Sequence, residues 1–127
     1  MTRKEVATTS APAAIGPYSQ AIEVEDFVFC SGQLGADPLT GQLLEGVEDQ
    51  TERALLNMEA VLRAAGLSMA DVAKTTIFLT DLANFTTVNA VYSSHFAKPA
   101  PARSTVQVAA LPRNALVEIE AIARRSQ

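Results

Sequence analysis

Arg103 is the side chain with the strongest case for chemistry in this 127-residue sequence. It follows Pro99-Ala100-Pro101-Ala102 and opens a run typical of a strand, which would hold its side chain at the end of a sheet. A guanidinium binds a carboxylate well because its two parallel N–H donors match the two oxygens. From spacing alone, however, a surface arginine or an intersubunit salt bridge is the better interpretation.

Two glutamates near the C-terminus form the second candidate group. Glu118 and Glu120 alternate with Val117, Ile119 and Ala121, so both carboxylates would point from the same face of one strand. On pattern alone this is an exposed, solvated face. Otherwise the carboxylates are paired with arginine or functional, because an isolated buried charge is costly. A partly buried glutamate near an arginine can also hold and activate a water molecule.

The other polar candidates have ordinary structural interpretations. Ser31 ends an apolar run and could orient a ligand, although strand-end serines are usually structural. Tyr18 follows Gly16-Pro17 in a loop, where a packing role is the simpler prediction. Cys30 has no evident base beside it, which predicts a buried structural thiol. His95 is predicted at the surface, and no second ligand stands at a spacing that indicates a metal site.

The bulk properties predict one globular domain over residues 1–127. Apolar residues make up 48% and charged residues 19%, which is not a disordered composition. The formal net charge is −4 and no run of basic residues is present, so nucleic-acid binding is not expected. A single cysteine, no apolar run of membrane length and an N-terminus without an apolar core predict a cytoplasmic protein without a signal peptide.

The candidate residues lie on a simple series of predicted elements. Apolar and alternating runs predict a hairpin whose second strand is buried, followed by three further strands. Two helical stripes separate these strands, and Gly66 suits the C′ position of the first helix. In chain order the elements are the hairpin Ala21–Val24 and Phe27–Ser31, the helix Val47–Ala65, the strand Val72–Thr80, a second helix, and the strands Ser104–Ala109 and Val117–Ala123.

The second helix and the sheet together predict an oligomer. Asp81 can cap this helix. Its apolar stripe consists of Leu82, Phe85, Val88, Tyr92 and Phe96. Two helices can cover one face of such a sheet but not both. Because the other face carries residues that prefer burial, a partner subunit is the expected cover, and we expect a homo-oligomer.

Five short stretches resemble, in order and over essentially the whole chain, the motifs of the RidA (YjgF) family of reactive-intermediate deaminases. They are Ala14–Ala21, Ser31–Gln33, Val88–Tyr92, Pro101–Val106 and Val117–Ala121. Each stretch is moderately specific by itself, and five in the family's order are very specific. Members of this family also carry the names endoribonuclease and translation inhibitor.

The resemblance implies a chorismate-mutase-like α+β fold, with a mixed sheet of about six strands and two helices packed on one face. It also implies a homotrimer whose active sites lie between neighbouring subunits and take a small imino or 2-oxo acid without a cofactor or metal. Its site residues, carried over position by position, are Arg103 for the substrate carboxylate, Glu118 for the hydrolytic water, and Tyr18, Ser31, Gly32, Asn89 and Thr105 around the substrate. Asn89 has the weaker role. Many members have cysteine at the position of Thr105, whose backbone would contact the ligand, so threonine need not abolish activity.

The activity implied by the resemblance is hydrolytic deamination of enamines and imines that pyridoxal-phosphate enzymes release, such as 2-aminoacrylate and 2-iminobutanoate. The products are 2-oxo acids and ammonia. Arg103 would fix the carboxylate, and Glu118 would accept a proton from the attacking water. Two alternatives stay open. One is an endoribonuclease or translation inhibitor, which the acidic charge disfavours, and the other is a ligand-binding or chaperone-like trimer without turnover.

Overall fold

One mixed β-sheet forms the centre of the computed structural model, which describes residues 2–126. The strands are β1 Arg3–Val6, β2 Ala21–Val24, β3 Phe27–Leu34, β4 Val72–Leu79, β5 Ala102–Gln107 and β6 Val117–Arg124. The helices are α1 Gly46–Ala64 and α2 Phe85–Ser93. The strand order is β1-β2-β3-β6-β4-β5, and only β4 and β5 pair in parallel. This is the α+β arrangement that the family resemblance implies.

Helix α1 supplies most of the apolar surface that covers the sheet. Leu55, Met58, Val61 and Leu62 follow helical spacing and are completely buried. The helix ends at Ala64, and Gly66 beyond it has a φ of 79°, the left-handed conformation of a C′ glycine. The predicted stripe and the predicted helix end are therefore confirmed.

The sheet has one side covered by the helices and one open side. On the helix side, Ile77 of β4 and Ile119 of β6 are register partners, and both are completely buried. On the open side, Phe29 is 44% exposed and Val106 is 41% exposed. The prediction that β3 is buried throughout is wrong, because its side chains alternate and Phe27 and Phe29 lie on the open side. The expectation of two helices on one face and an uncovered apolar face is met within a single chain.

The first strand does not follow from the hydrophobic pattern. Arg3, Lys4 and Glu5 of β1 are exposed and only Val6 is buried, so these residues show no clear alternation. The strand forms because its backbone completes the edge of β2, in antiparallel register from Arg3 with Val24 to Val6 with Ala21.

The second helix starts later than Asp81 predicts. The Asp81 carboxylate accepts a hydrogen bond from the Ala83 N–H at 2.9 Å, but the turn it caps is a 3₁₀ turn. Because that turn breaks the 3.6-residue period, Leu82 does not join the buried stripe and is 43% exposed. Phe85 is the first residue of α2 and keeps the phase of Val88 and Tyr92, but it is 39% exposed while Val88 and Tyr92 are buried, which corrects the prediction for both residues. No helix among residues 2–126 is long and apolar enough to span a bilayer.

Candidate active site

The carboxyl group of Glu118 lies against a bulge of strand β3. The pairing of β3 with β6 shifts between Cys30 and Gln33, which leaves Ser31 and Gly32 as an irregular pair. A Cβ atom placed on Gly32 would lie 2.7 Å from Cδ and Oε2 of Glu118. The absence of a side chain at Gly32 therefore allows the observed close approach of the backbone to the carboxylate, which a Cβ atom would displace.

The surroundings of Glu118 favour its neutral form. Partial burial is the main cause that raises the pKa of Glu118, and the like charge of Glu120 raises it further. Within residues 2–126 no arginine, lysine or histidine forms an ion pair with Glu118. A carboxylate with a raised pKa is a better general base at neutral pH than a fully solvated one.

Ser31 connects this bulge to the loop that carries Tyr18. Its hydroxyl donates to the Ser19 carbonyl at 2.6 Å, and its N–H donates to the Gln20 carbonyl at 3.0 Å. The Tyr18 N–H donates to the Gly16 carbonyl at 2.9 Å, which closes a turn. Tyr18 itself is 53% exposed, so it is not the packing residue that its loop position suggested. The structure thus links Tyr18, Ser31, Gly32 and Glu118, and we call these four residues the glutamate half-site.

Gln20 holds the same loop and was missed by sequence reasoning. Its Oε1 accepts from the Thr8 N–H at 2.7 Å, and its Nε2 donates to the Pro12 carbonyl at 2.8 Å and the Thr8 carbonyl at 3.1 Å. The residue is 4% exposed, so these backbone groups satisfy a buried amide. The sequence feature that could have identified Gln20 is its position inside the Ala14–Ala21 motif.

Arg103 lies on the helix side of edge strand β5. Its register partner on β4 is Thr75, which is completely buried on that side. The guanidinium Cζ lies 4.9 Å from the ring centroid of Tyr92 and 5.6 Å from that of Phe85. No described residue between 2 and 126 forms an ion pair or a side-chain hydrogen bond with Arg103. Its N–H donors are therefore available to a ligand.

Asn89 and Thr105 lie on the same side as Arg103. Asn89 is half-buried on α2, four residues after Phe85 and three before Tyr92, which is the spacing of one helical face. Thr105 follows Arg103 by two residues on β5, and its Oγ1 is buried without a hydrogen-bond partner among the described residues. An unpaired buried hydroxyl is uncommon and marks a place where a polar partner is missing. We call Asn89, Arg103 and Thr105 the arginine half-site.

The two half-sites do not meet within one chain. On β4, Thr75 is the register partner of Arg103 and Phe78 is the register partner of Glu118. Residues three apart in a strand point to opposite sides of the sheet. Arg103 therefore points to the helix side and Glu118 to the open side, so a single chain does not bring the predicted pair together.

The structure also locates Cys30 and His95, for which the sequence predicted a structural and a surface role. Cys30 is buried, as predicted, and burial raises the pKa of its thiol to about 12, so the thiolate is not available at neutral pH. The prediction of a surface His95 is wrong. Its side chain is 12% exposed, and Nε2 lies 2.7 Å from Oε1 of Glu52 on α1, so the pair joins the end of α2 to α1.

Comparison with known proteins settles the family. A family model described as Endoribonuclease L-PSP matches residues 8–125. The chain belongs to this family, the RidA (YjgF) family. It is 58% identical to Reactive Intermediate Deaminase A, chloroplastic, of Arabidopsis thaliana, over 95% of this chain and 66% of that protein.

Two further RidA-family relatives match over nearly their whole length. The chain is 52% identical to the 2-iminobutanoate/2-iminopropanoate deaminase of Mus musculus, over 95% of this chain and 90% of that protein. The chain is also 47% identical in sequence to E. coli TdcF, whose crystal structure was determined with bound serine. The two structures superpose with a TM-score of 0.92 over 97% of this chain and 99% of that chain. The resemblance and the α+β fold that it implied are therefore confirmed.

Proposed function

We propose that this RidA-family protein hydrolyses reactive enamines and imines of short 2-amino acids to 2-oxo acids and ammonia. The relatives named above support this activity, since they carry the names reactive intermediate deaminase and 2-iminobutanoate/2-iminopropanoate deaminase. The single observation in this chain that carries the proposal is the partly buried Arg103 guanidinium without an anion. A substrate with a carboxylate beside its C=N carbon supplies that anion.

The complete site is an intersubunit site in a homotrimer. Among residues 2–126, the glutamate half-site has no cation paired with it and the arginine half-site has no anion, and the two lie on opposite sides of the sheet. A heterologous contact between two copies brings the glutamate half-site of one chain to the arginine half-site of the next. Three such contacts close a ring, and the exposed Phe29 and Val106 on the open side provide apolar surface for it.

The mechanism uses a bound carboxylate and an activated water. The fork of Arg103 binds the substrate carboxylate and so fixes the adjacent imine carbon. Glu118 accepts a proton from water as the water oxygen attacks that carbon and the C=N electron pair moves to nitrogen. Glu118 then returns the proton to the nitrogen, which gives a carbinolamine. It next takes the proton of the carbinolamine hydroxyl and passes it to the nitrogen, so the C=O bond of the 2-oxo acid forms as the C–N bond breaks and ammonia leaves. An enamine first takes a proton on carbon and gives up one from nitrogen to become the imine. Because such imines also hydrolyse in water, the protein lowers only part of the barrier.

The remaining residues have supporting roles in the same proposal. Tyr18, Ser31 and the backbone at Gly32 line the substrate on the glutamate side, while Asn89 and Thr105 line it on the arginine side. The ligand is a small imino or 2-oxo acid, the chain acts as one domain, and the single cysteine fits the reducing conditions of the cytoplasm.

Complementation between variants tests the intersubunit site. Arg103→Ala and Glu118→Gln are purified separately, and each is expected to lose most ammonia release in an assay coupled to a serine or threonine dehydratase. Co-refolding equal amounts restores activity in roughly a quarter of the sites, because one interface in four joins two intact half-sites. Arg63→Ala, which changes an arginine whose side chain is 67% exposed, is the control and stays fully active. A mixture no more active than its components would place the site within one chain, and full activity of Arg103→Ala would end the carboxylate-anchor role.

The name of the matching family model favours RNA cleavage as a second candidate function. The net charge of −4 argues against it, since phosphate neutralisation requires basic residues. RNA cleavage that disappears together with deamination in Arg103→Ala would assign both to one site. Cleavage that survives this substitution would belong to another site or to a contaminant. Saturable ammonia release likewise separates an enzyme from a protein that only binds 2-oxo acids.

A further inference from the structure

The arginine half-site holds its guanidinium with aromatic rings and not with an acid. Arg103 Cζ lies 4.9 Å from the Tyr92 ring centroid and 5.6 Å from the Phe85 ring centroid. No ion pair among the described residues involves Arg103. This arrangement is unusual for an arginine that is only partly exposed, because such a charge normally finds a carboxylate.

Tyr92 is itself fixed from two directions. Its hydroxyl lies 2.7 Å from Oγ1 of Thr75, and Thr75 is both completely buried and the register partner of Arg103. On another side, the Phe96 ring centroid lies 4.6 Å from that of Tyr92. Tyr92 is 5% exposed, so its ring has little freedom to move. Strand β4 therefore sets the position of Tyr92, and Tyr92 sets the position of the guanidinium.

We propose that Tyr92, anchored by Thr75, is a positioning residue that aims the Arg103 guanidinium at the substrate carboxylate, with Phe85 as the second ring. This inference rests on the proposed function, because it assigns the carboxylate to Arg103. Tyr92 acts through Arg103 and touches no reacting atom. The pair Thr75–Tyr92 thus forms part of the machinery of the arginine half-site.

Rings suit this purpose better than an acid does. An aspartate or glutamate would bind the guanidinium fork and compete with the substrate for the same N–H donors. A ring face attracts the positive charge but offers no lone pairs to those donors, so the charge and the fork stay available. Burial raises the pKa of the Tyr92 phenol, against smaller lowering effects of Thr75 and Arg103, so the ring stays uncharged at neutral pH. The Arg103 guanidinium is therefore oriented by the rings without being neutralised by a carboxylate.

The first test compares Tyr92→Leu with Tyr92→Phe. Removal of the ring should raise the KM for the imine and the Kd for 2-oxobutanoate by roughly three- to thirty-fold, the range of a partly desolvated cation–π contact. Tyr92→Phe keeps the ring but lacks the hydroxyl that meets Thr75, so its loss should be smaller than that of Tyr92→Leu and still measurable. Equal losses in both variants, or no loss in Tyr92→Leu, would overturn the proposal. If the wild type shows no turnover, the proposed function fails, and the Kd for 2-oxobutanoate still tests the positioning role.

The second test needs no enzyme activity and no unstable variant at position 92. The chain has two tyrosines and no tryptophan, so Tyr18→Phe leaves Tyr92 as the only phenol in the ultraviolet spectrum. In that background Arg103→Gln should move the phenolate titration to higher pH, because the arginine charge lowers the pKa of Tyr92. Arg63→Gln is the matched control and should leave the titration unchanged. An unchanged titration in Arg103→Gln, or one at lower pH, would show that the guanidinium does not act on this ring.

Discussion

Gly32→Ala is the sharpest perturbation that the structure offers, because it moves one carboxylate and little else. The added Cβ would lie 2.7 Å from Cδ and Oε2 of Glu118 and 2.9 Å from its Cγ. Ordinary contacts of a Cβ begin at 3.4 Å, so the carboxyl group would move by about 0.7 Å to reach an ordinary contact. The obstacle is the end of a flexible side chain, which can rotate away, and Gly32 does not have a positive φ.

The magnitudes predict a loss of activity without a loss of stability. A catalytic group must stay within roughly 0.5 Å of its productive position, and a misplacement of about 1 Å can cost on the order of 100-fold in rate. We therefore expect kcat/KM to fall by roughly ten- to a hundred-fold. A strained Glu118 rotamer costs about 0.5–1.5 kcal/mol, while replacing glycine stabilises by about 0.4–1 kcal/mol through the unfolded chain. The free energy of unfolding should consequently change by less than about 1 kcal/mol.

The assay is ammonia release coupled to a dehydratase, with thermal unfolding measured on the same samples. Gly35→Ala is the matched control, because its Cβ would lie 2.3 Å from Cα and O of Gln50, which are backbone atoms that cannot rotate away. This control should lose at least about 1–3 kcal/mol of stability through overpacking. If Gly32→Ala keeps wild-type kcat/KM while folding normally, the carboxylate of Glu118 does not need its observed position, and its role as the base is refuted.

Four other perturbations test the site. Arg103→Lys should remain at least about ten-fold below wild type in kcat/KM, because an ammonium cannot reproduce the bidentate fork; equal activity would mean that charge alone suffices. Glu120→Gln removes the like charge that raises the pKa of Glu118, so the acid limb of the pH profile of kcat/KM should move to lower pH. An unmoved limb would show that the charge of Glu120 does not affect the titration of Glu118. The pKa of Glu118 is higher in the folded state than in the unfolded state. Protonation of Glu118 therefore stabilises the fold at pH values below the unfolded pKa, and this stabilisation is lost as pH rises through the folded pKa. Glu118→Gln should therefore raise the melting temperature at neutral pH while it lowers turnover, and a lower melting temperature would contradict this sign. Ser31→Ala removes the 2.6 Å hydrogen bond to the Ser19 carbonyl and should raise KM by roughly two- to ten-fold, with an unchanged KM showing that the Tyr18 loop needs no such tether.

Much of the fold could be predicted because its elements follow a regular hydrophobic period. The stripe of α1 and the alternation of β6, with Val117, Ile119, Ala121 and Ala123 buried, can be read directly from residue types. β1 could not be predicted, since its order comes from pairing with β2 and not from its own side chains. The exposure of Leu82 was missed for a related reason. A short 3₁₀ turn changes the helical phase, and no residue type announces it.

The residue types of the site could be predicted, but their arrangement could not. Periodicity tells which residues of one strand share a face, yet it does not tell which faces of two different strands coincide. That information lies in the pairing of β4 with both β5 and β6, which sends Arg103 and Glu118 to opposite sides. The contact of Gly32 with Glu118 depends on a bulge, whose register shift leaves no mark in the sequence.

The opposite placement of the two charges is itself the strongest argument for a site shared between chains. A partly desolvated carboxylate and a guanidinium held only by rings are both electrostatically incomplete. Pairing them within one chain would satisfy both and leave no vacancy for a substrate anion. Keeping them on opposite sides of one sheet prevents this neutralisation, and the proposed trimer then brings them to opposite ends of a small imino acid. The carboxylate of that substrate meets Arg103, and its imine carbon meets the water held by Glu118. Each chain alone is thus expected to be inactive for a geometric reason, which is why restored activity in the mixed Arg103→Ala and Glu118→Gln trimers is the decisive observation.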